Sequence, residues 1–224
     1  MARLGVTPVS FQPHVVISNP QYLSSSLVLR IPEYINPPGT RDYLHPHSVK
    51  WQVIEQDVHI KYHCEADEQT KQAWGVDFWG EARGGEDEVS FEVTQKNISD
   101  KHHDVGVSLF CMQAGQFVGF HDPNQIRTFV RTADRWARVN EHLPTEHNLI
   151  AKVNDIGEWV LATALDQPGG PGGNPDIWPS CLHPNPSWKK LEPGQTQTAH
   201  GKLYFFRGDL DDVYERYKAD FLDG

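Results

Sequence analysis

The chain has 224 residues, 38% of them hydrophobic, with seven Trp, seven Tyr and ten Phe; that supplies the large apolar areas a core needs and excludes disorder as the overall state. Its 20 Lys and Arg against 30 Asp and Glu leave a formal charge of -10, a surface that repels phosphate backbones and argues against a nucleic-acid partner. No stretch approaches about 18 consecutive apolar residues and the first twenty lack the apolar segment of a signal peptide, so neither a membrane partner nor secretion is expected. Cys64, Cys111 and Cys181 show no CxxC spacing and read as buried small hydrophobes in a reducing, cytoplasmic setting.

A length of this size is normal for one all-β domain, so residues 1–224 are read as a single domain. In chain order, His14 to Ile17 and Leu27 to Ile31 are short apolar runs flanked by Asn19-Pro20, Pro32 and the NPPG at 36–39. They suit edge strands or strands crossing from a second sheet. Val49 to Cys64 forms two alternating runs joined around Glu55 to Asp57, a hairpin that puts His59, Lys61 and His63 on one face and Ile60, Tyr62 and Cys64 on the other.

Trp74 to Val118 holds three alternating runs punctuated at Gly84-Gly85 and at Asn97 to Asp104, read as three successive antiparallel strands. Val89, Phe91 and Val93 point one way there, and Ser90, Glu92 and Thr94 the other. Residues 126–139 allow a helix capped by Asp122 or a hairpin turning at Thr132 to Asp134; the β-branched and aromatic first half favours the hairpin. Trp159 to Ala164 is a further strand, and Gln167 to Pro179 is a Gly/Pro-rich lid or rim loop. Thr198 to Arg207 is a last strand, followed by a helix over about 209–222 capped by Asp209, with Leu210, Val213, Tyr214, Tyr217 and Phe221 at helical spacing. The fold class is therefore all-β: an antiparallel β-sandwich, supersandwich or jelly-roll-like, with one C-terminal α-helix.

Several groups could carry chemistry. Gly39 to His47, GTRDYLHPH, matches the opening of a cupin metal motif, and His45 and His47 could share a divalent ion. The Glu that the pattern needs next is absent, since Trp51 and Gln52 stand there. No other cofactor is expected. His59 and His63 share a strand face with Lys61 between them, which suits a polar surface more than a cation site.

Phe120 to Arg131 offers Arg127, Phe129 and Arg131 on one hairpin face, two forked donors beside a ring that suit a carboxylate or a sugar. His121 and Asp122 adjoin them as an acid or base. Trp178 to Trp188 fixes His183 in a proline-stiffened segment as a second candidate acid or base. Asp77, Trp79 and Glu81 alternate along the central strand and could meet His183 across the sheet. The chain lacks GxSxG, a P-loop and a dinucleotide GxGxxG, the usual markers of hydrolase and nucleotide classes.

In layout, the strand EVSFEVTQKNISDK, the later CLHPNPSWKKLEPGQTQTAHGKLYFF and the Arg-rich hairpin between them resemble the galactose mutarotase-like supersandwich proteins and related bacterial sandwiches. The match spans Trp51 to Arg207 on generic turn signatures, and the family's catalytic residues do not align one by one. The resemblance implies a small-molecule sugar or sugar acid as ligand on a concave sheet. The first expectation is a carbohydrate-processing isomerase, epimerase or lyase working by proton transfer, with His183 or His121 as acid or base, Arg127 and Arg131 facing a carboxylate, and Trp79 or Trp178 stacked on the ring. The rivals are a non-catalytic carbohydrate-binding module and a cupin-like metal enzyme using His45 and His47.

Overall fold

In the computed structural model, residues 3–22, 27–35, 45, 48–65, 67–102, 108–114, 118–174, 181–186 and 191–223 are described. Fifteen strands occur among them: β1 (Gly5–Pro8), β2 (His14–Ser18), β3 (Leu27–Ile35), β4 (Val49–Glu55), β5 (His59–Cys64), β6 (Val76–Gly84), β7 (Glu88–Asn97), β8 (Ser108–Gln113), β9 (Thr128–Arg131), β10 (Trp136–Arg138), β11 (Leu149–Val153), β12 (Trp159–Leu165), β13 (Gly172–Gly173), β14 (Cys181–His183) and β15 (Thr196–Arg207). Two α-helices join them, α1 (Glu68–Trp74) and α2 (Leu210–Phe221). The strands make two antiparallel sheets, one of six in the order β1-β2-β3-β8-β14-β13 and one of nine in the order β10-β9-β11-β12-β15-β7-β6-β5-β4. This is the expected sandwich. No helix among the described residues is long and apolar enough to cross a membrane.

The alternation along each strand decides what fills the space between the sheets. Ile17, Leu29, Phe110, Met112 and Leu182 enter it from the six-stranded sheet, and Ile60, Phe78, Phe91, Leu161 and Phe205 from the nine-stranded one, all within a single apolar cluster. The 49–64 hairpin and the 126–139 hairpin both form, the latter pairing Arg131 with Trp136 and Phe129 with Arg138. The helical alternative for 126–139 is not adopted.

Three features depart from the sequence reading. The third run of the central stretch, β8, does not follow β7 in its sheet; it crosses to the other layer and pairs with β3 and β14, where Phe110 and Met112 meet the facing core. Val105 and Val107 lie outside the described residues. Trp74 does not begin a strand. It ends α1, which is capped at its start by Asp67, whose carboxylate accepts from Thr70 N at 2.8 Å, and at its end by Gly75 at φ 69°, a left-handed position that favours glycine. Finally, Gly5–Pro8 forms the outermost strand of the small sheet, ahead of the two runs expected to open the sandwich.

Helix α2 begins at Asp209, whose side chain accepts from Asp211 N and Asp212 N while Asp212 returns a bond to Asp209 N. Its buried Val213 and Tyr217 lie on Leu149, Ala151, Val160, Ala162, Tyr204 and Phe206, so the helix packs outside the large sheet. Polar ties fix it further: Arg216 makes a bidentate pair with Asp87 at 2.7 and 2.6 Å, and Asp220 accepts from Lys202 and Tyr204 at 2.8 and 2.7 Å. Only the β11–β12 region and the C-terminal half of β15 are covered in this way.

Candidate functional site

Beyond the reach of α2, the outer face of the large sheet is built from residues that alternate against the core. On β5 these are His59, Lys61 and His63; on β6 Asp77, Trp79, Glu81 and Arg83; on β7 Ser90, Glu92 and Thr94; on β15 Thr198 and His200. Register then sorts them into rows across the strands. One row runs Lys61, Glu81, Glu92, His200, and the next runs His63, Trp79, Thr94, Thr198. The rows border a groove of about 590 Å³ whose lining includes Lys61, His63, Trp79, Glu81 and Glu92.

Glu81 and Glu92 stand directly opposite one another, a like-charge pairing that disfavours a sheet unless something offsets it. Lys61 Nζ lies 2.7 Å from Glu81 Oε2, and His59 Nε2 lies 3.2 Å from the same oxygen. Partial burial alone would raise the Glu81 pKa, but the hydrogen bonds from Lys61 and His59 outweigh it and hold that carboxyl below the usual range. Arg83 Nη2 is 3.2 Å from His59 Nδ1 and completes this chain of polar groups.

On the other side of Glu92 stands His200. Its Nδ1 is 2.8 Å from Asp166 Oδ2, and Asp166 Oδ1 also accepts from His200 N at 3.0 Å. A carboxylate on Nδ1 directs the other ring nitrogen outward, and Nε2 stands 3.8 Å from Glu92 Oε2. The face therefore offers one carboxylate engaged by Lys61 and the His59 ring and a second beside an oriented imidazole. Close by, Trp79 has the His63 ring edge-on at 6.1 Å, and the Thr94 and Thr198 hydroxyls bond each other at 2.8 Å. An aromatic plane flanked by carboxylates, imidazoles and hydroxyls can hold a polyhydroxylated ring and move a proton to or from it.

The residues singled out from sequence are distributed over several places. Trp79 and Asp77 lie on the outer sheet face, Asp77 within 3.3 Å of His63 Nε2 and 3.6 Å of Lys71 Nζ. His183 does not meet them across the sheet, because it sits on β14 in the other layer, buried beside Cys111 and Cys181. There the Cys111 thiol donates toward Cys181, which pushes the Cys111 pKa up and holds that of Cys181 down. Asp122 is buried, and its carboxylate accepts from Ile126 N, Arg127 N and Thr128 Oγ1 at 3.1, 2.9 and 2.8 Å, shaping the turn into β9.

His121 is exposed, and its carbonyl accepts from Arg127 Nη2 at 2.6 Å. Phe129 is half-buried on β9, and the Arg131 guanidinium lies over the Tyr214 ring of α2 at 4.1 Å. The two arginines thus have different partners, one in the turn and one under the helix. His45 is exposed, with Nδ1 3.0 Å from the Glu33 carbonyl; His47 and Trp178 lie outside the described residues.

Glu92, Asp166 and His200 were missed. The polar set Ser90, Glu92 and Thr94 was visible in β7, but His200 reaches it only through the β7–β15 register, which no local pattern encodes. Lys152 was also missed: a fully buried lysine among the apolar residues of β11, on the side that faces the main core with Ile150. Burial pulls its pKa down to about 8 against the pull of Asp122 in the other direction.

No family model matches the chain, and no curated protein matches it in sequence. Solved structures do. A galactose mutarotase related enzyme from Lactobacillus acidophilus aligns with 92% of this chain and 98% of its own at 10% identity and a TM-score of 0.49. YeaD of Salmonella typhimurium, a mutarotase candidate, aligns with 92% and 94% at 10% identity and 0.43. A polysaccharide lyase aligns with 96% of this chain but 34% of its own, at 9% identity and 0.51. What is shared is the fold. At 9% identity the polysaccharide lyase shares the sandwich fold alone, and the groove rests on its own residues.

Proposed function

We propose that the outer face of the large sheet binds a sugar or sugar acid and catalyses proton transfer on it, making the protein a carbohydrate-processing enzyme of the isomerase, epimerase or lyase kind. The observation that carries this reading is the pairing of Glu81 with Glu92 beside Trp79 in one groove, a like-charge pair that packing alone does not call for. Trp79 supplies the platform for the apolar side of a pyranose ring, and Lys61 with His63 faces its polar or anionic substituents. Glu92 takes or gives the proton, and His200, oriented by Asp166, serves as the complementary group on the far side. The polysaccharide lyase that shares the sandwich agrees with this choice of ligand only through the common architecture.

A panel of sugars and uronic acids followed by NMR and calorimetry tests the reading. Glu92→Gln is expected to lower turnover by about 10²- to 10⁴-fold with binding retained, and Trp79→Ala to weaken binding by about tenfold. Full turnover in the first variant, or undiminished binding in the second, refutes these assignments. Binding by the wild type with no product formed would leave the face a sugar-binding surface without chemistry.

A further inference from the structure

The antiparallel pairing of β14 with β8 sets Cys181 opposite Gln113 and Leu182 opposite Met112; one step on, the same register brings His183 opposite Cys111. Leu182 and Met112 point into the main core, so Cys181, His183 and Cys111 share the other face of the small sheet. All three are buried there, Cys111 fully, Cys181 and His183 at 4% and 8% exposure. Their donor atoms lie within 4.8 Å of one another. Buried polar atoms are ordinarily bonded, yet His183 Nε2 has no hydrogen-bond partner among the described residues.

We propose that Cys111, Cys181 and His183 form a Cys2His site for a thiophilic divalent ion, zinc being the one the donor set suits. Two sulfurs and one imidazole are a common three-ligand set for zinc, with the fourth position left to water or an exogenous ligand. Zinc bonds of ~2.3 Å to sulfur and ~2.0 Å to nitrogen place tetrahedral donors roughly 3.5–3.8 Å apart. Three atoms already within 4.8 Å of one another need close by at most about 1.3 Å to reach that spacing. On coordination both thiols pass their protons to solvent, so two thiolates balance the ion's charge. Arg30, opposite Cys111 on β3, is paired with Glu33, which offsets a cation that would otherwise oppose the metal.

The ion has an evident mechanical effect. Strand β14 has three residues and meets β8 through two residue pairs, a weak attachment. A metal joined to Cys111 on one strand and to Cys181 and His183 on the other would clamp β14 to β8, on the opposite layer from the groove.

The test is titration of the reduced, chelator-treated full chain with Co²⁺ and then Zn²⁺. The expected result is one equivalent of Co²⁺ with a thiolate-to-metal absorption band, displaced by one equivalent of Zn²⁺, and a rise in Tm with zinc. Cys181→Ser and His183→Ala should lose the band, while Cys64→Ala, which removes the thiol packed in the main core, should keep it. Should either ligand variant fail to fold by near-ultraviolet circular dichroism, the wild type still decides. In urea near the unfolding midpoint, where the buried thiols open to reagent, zinc must then slow alkylation of Cys111 and Cys181 more than that of Cys64. Absence of the band in the wild type, its survival in folded His183→Ala, equal slowing of all three thiols or none under those conditions, or oxidation to a Cys111–Cys181 disulfide without metal uptake would each overturn the proposal.

Discussion

Replacing Lys152 with methionine separates the cost of a buried charge from the value of the contacts around it. The lysine is fully buried on β11 facing the main core, and burial lowers its pKa from the ordinary 10.5 to about 8. At 1.36 kcal/mol per pH unit, that difference amounts to about 3 kcal/mol of stability lost while the group is charged. Below pH 8 the lysine is protonated in the folded and unfolded chain alike, and the whole penalty is present. Between pH 8 and 10.5 the folded chain holds it neutral while the unfolded chain still binds the proton, so stability rises with pH across that window. Methionine fills nearly the same space without the charge, and Asp122 keeps its three donors in the turn before β9. Urea unfolding of both proteins should therefore show Lys152→Met more stable by about 3 kcal/mol at pH 7. The gap should shrink by about 2 kcal/mol at pH 9.5, since only the wild type gains there. A variant that is less stable by the same amount at both values would mean that the ammonium is an anchor, and the argument from burial would be wrong.

Two further expectations concern the frame. Asp122→Ala removes the acceptor of two backbone amides and one hydroxyl in a buried turn, so chemical denaturation should show a loss of about 3 kcal/mol; a loss below about 1 kcal/mol would mean that the turn is held by something else. Gly80→Ala would place a methyl group 2.3 Å from the Glu92 carbonyl oxygen and 2.7 Å from Tyr62 Oη. Because the nearer contact is backbone in a central strand pair, destabilisation of about 2 kcal/mol or more is expected, and an unchanged Tm would show that the strands can part at no cost.

Much of this architecture could be read from period-two alternation. The β4–β5 hairpin, the outer set of β6, the β9–β10 turn and the amphipathic C-terminal helix are each specified by residues close in sequence, as Val89, Phe91 and Val93 against Ser90, Glu92 and Thr94 illustrate. Assignment of strands to sheets is different in kind. β8 looks locally like a third member of the β6–β7 meander, and only partners far along the chain, Leu29 and Leu182 among them, draw it into the other layer. The same distinction governs the site. Asp77 and Trp79 could be placed on one face by alternation alone, whereas Glu92 and His200 meet through pairing between strands far apart in sequence. Arg131 had the appearance of an anion-binding fork because nothing in the hairpin reveals that Tyr214 returns to cover it. Likewise Cys111 and the Cys181-x-His183 pair have no spacing that signals a metal, since the turn of chain that unites them is the whole β8-to-β14 excursion.

The partial cover given by α2 has a practical consequence for anyone shortening this protein. Tyr204 and Phe206 sit beneath the helix, while Thr198 and His200, on the same strand, stand outside its footprint. A chain cut after Arg207 would keep every groove side chain yet lay bare Val160, Ala162, Tyr204 and Phe206 as a greasy strip alongside them, ready to stick to a second molecule. Inactivity of such a truncation would then report clumping, and the C-terminal helix of about three turns would be credited with chemistry it never performs.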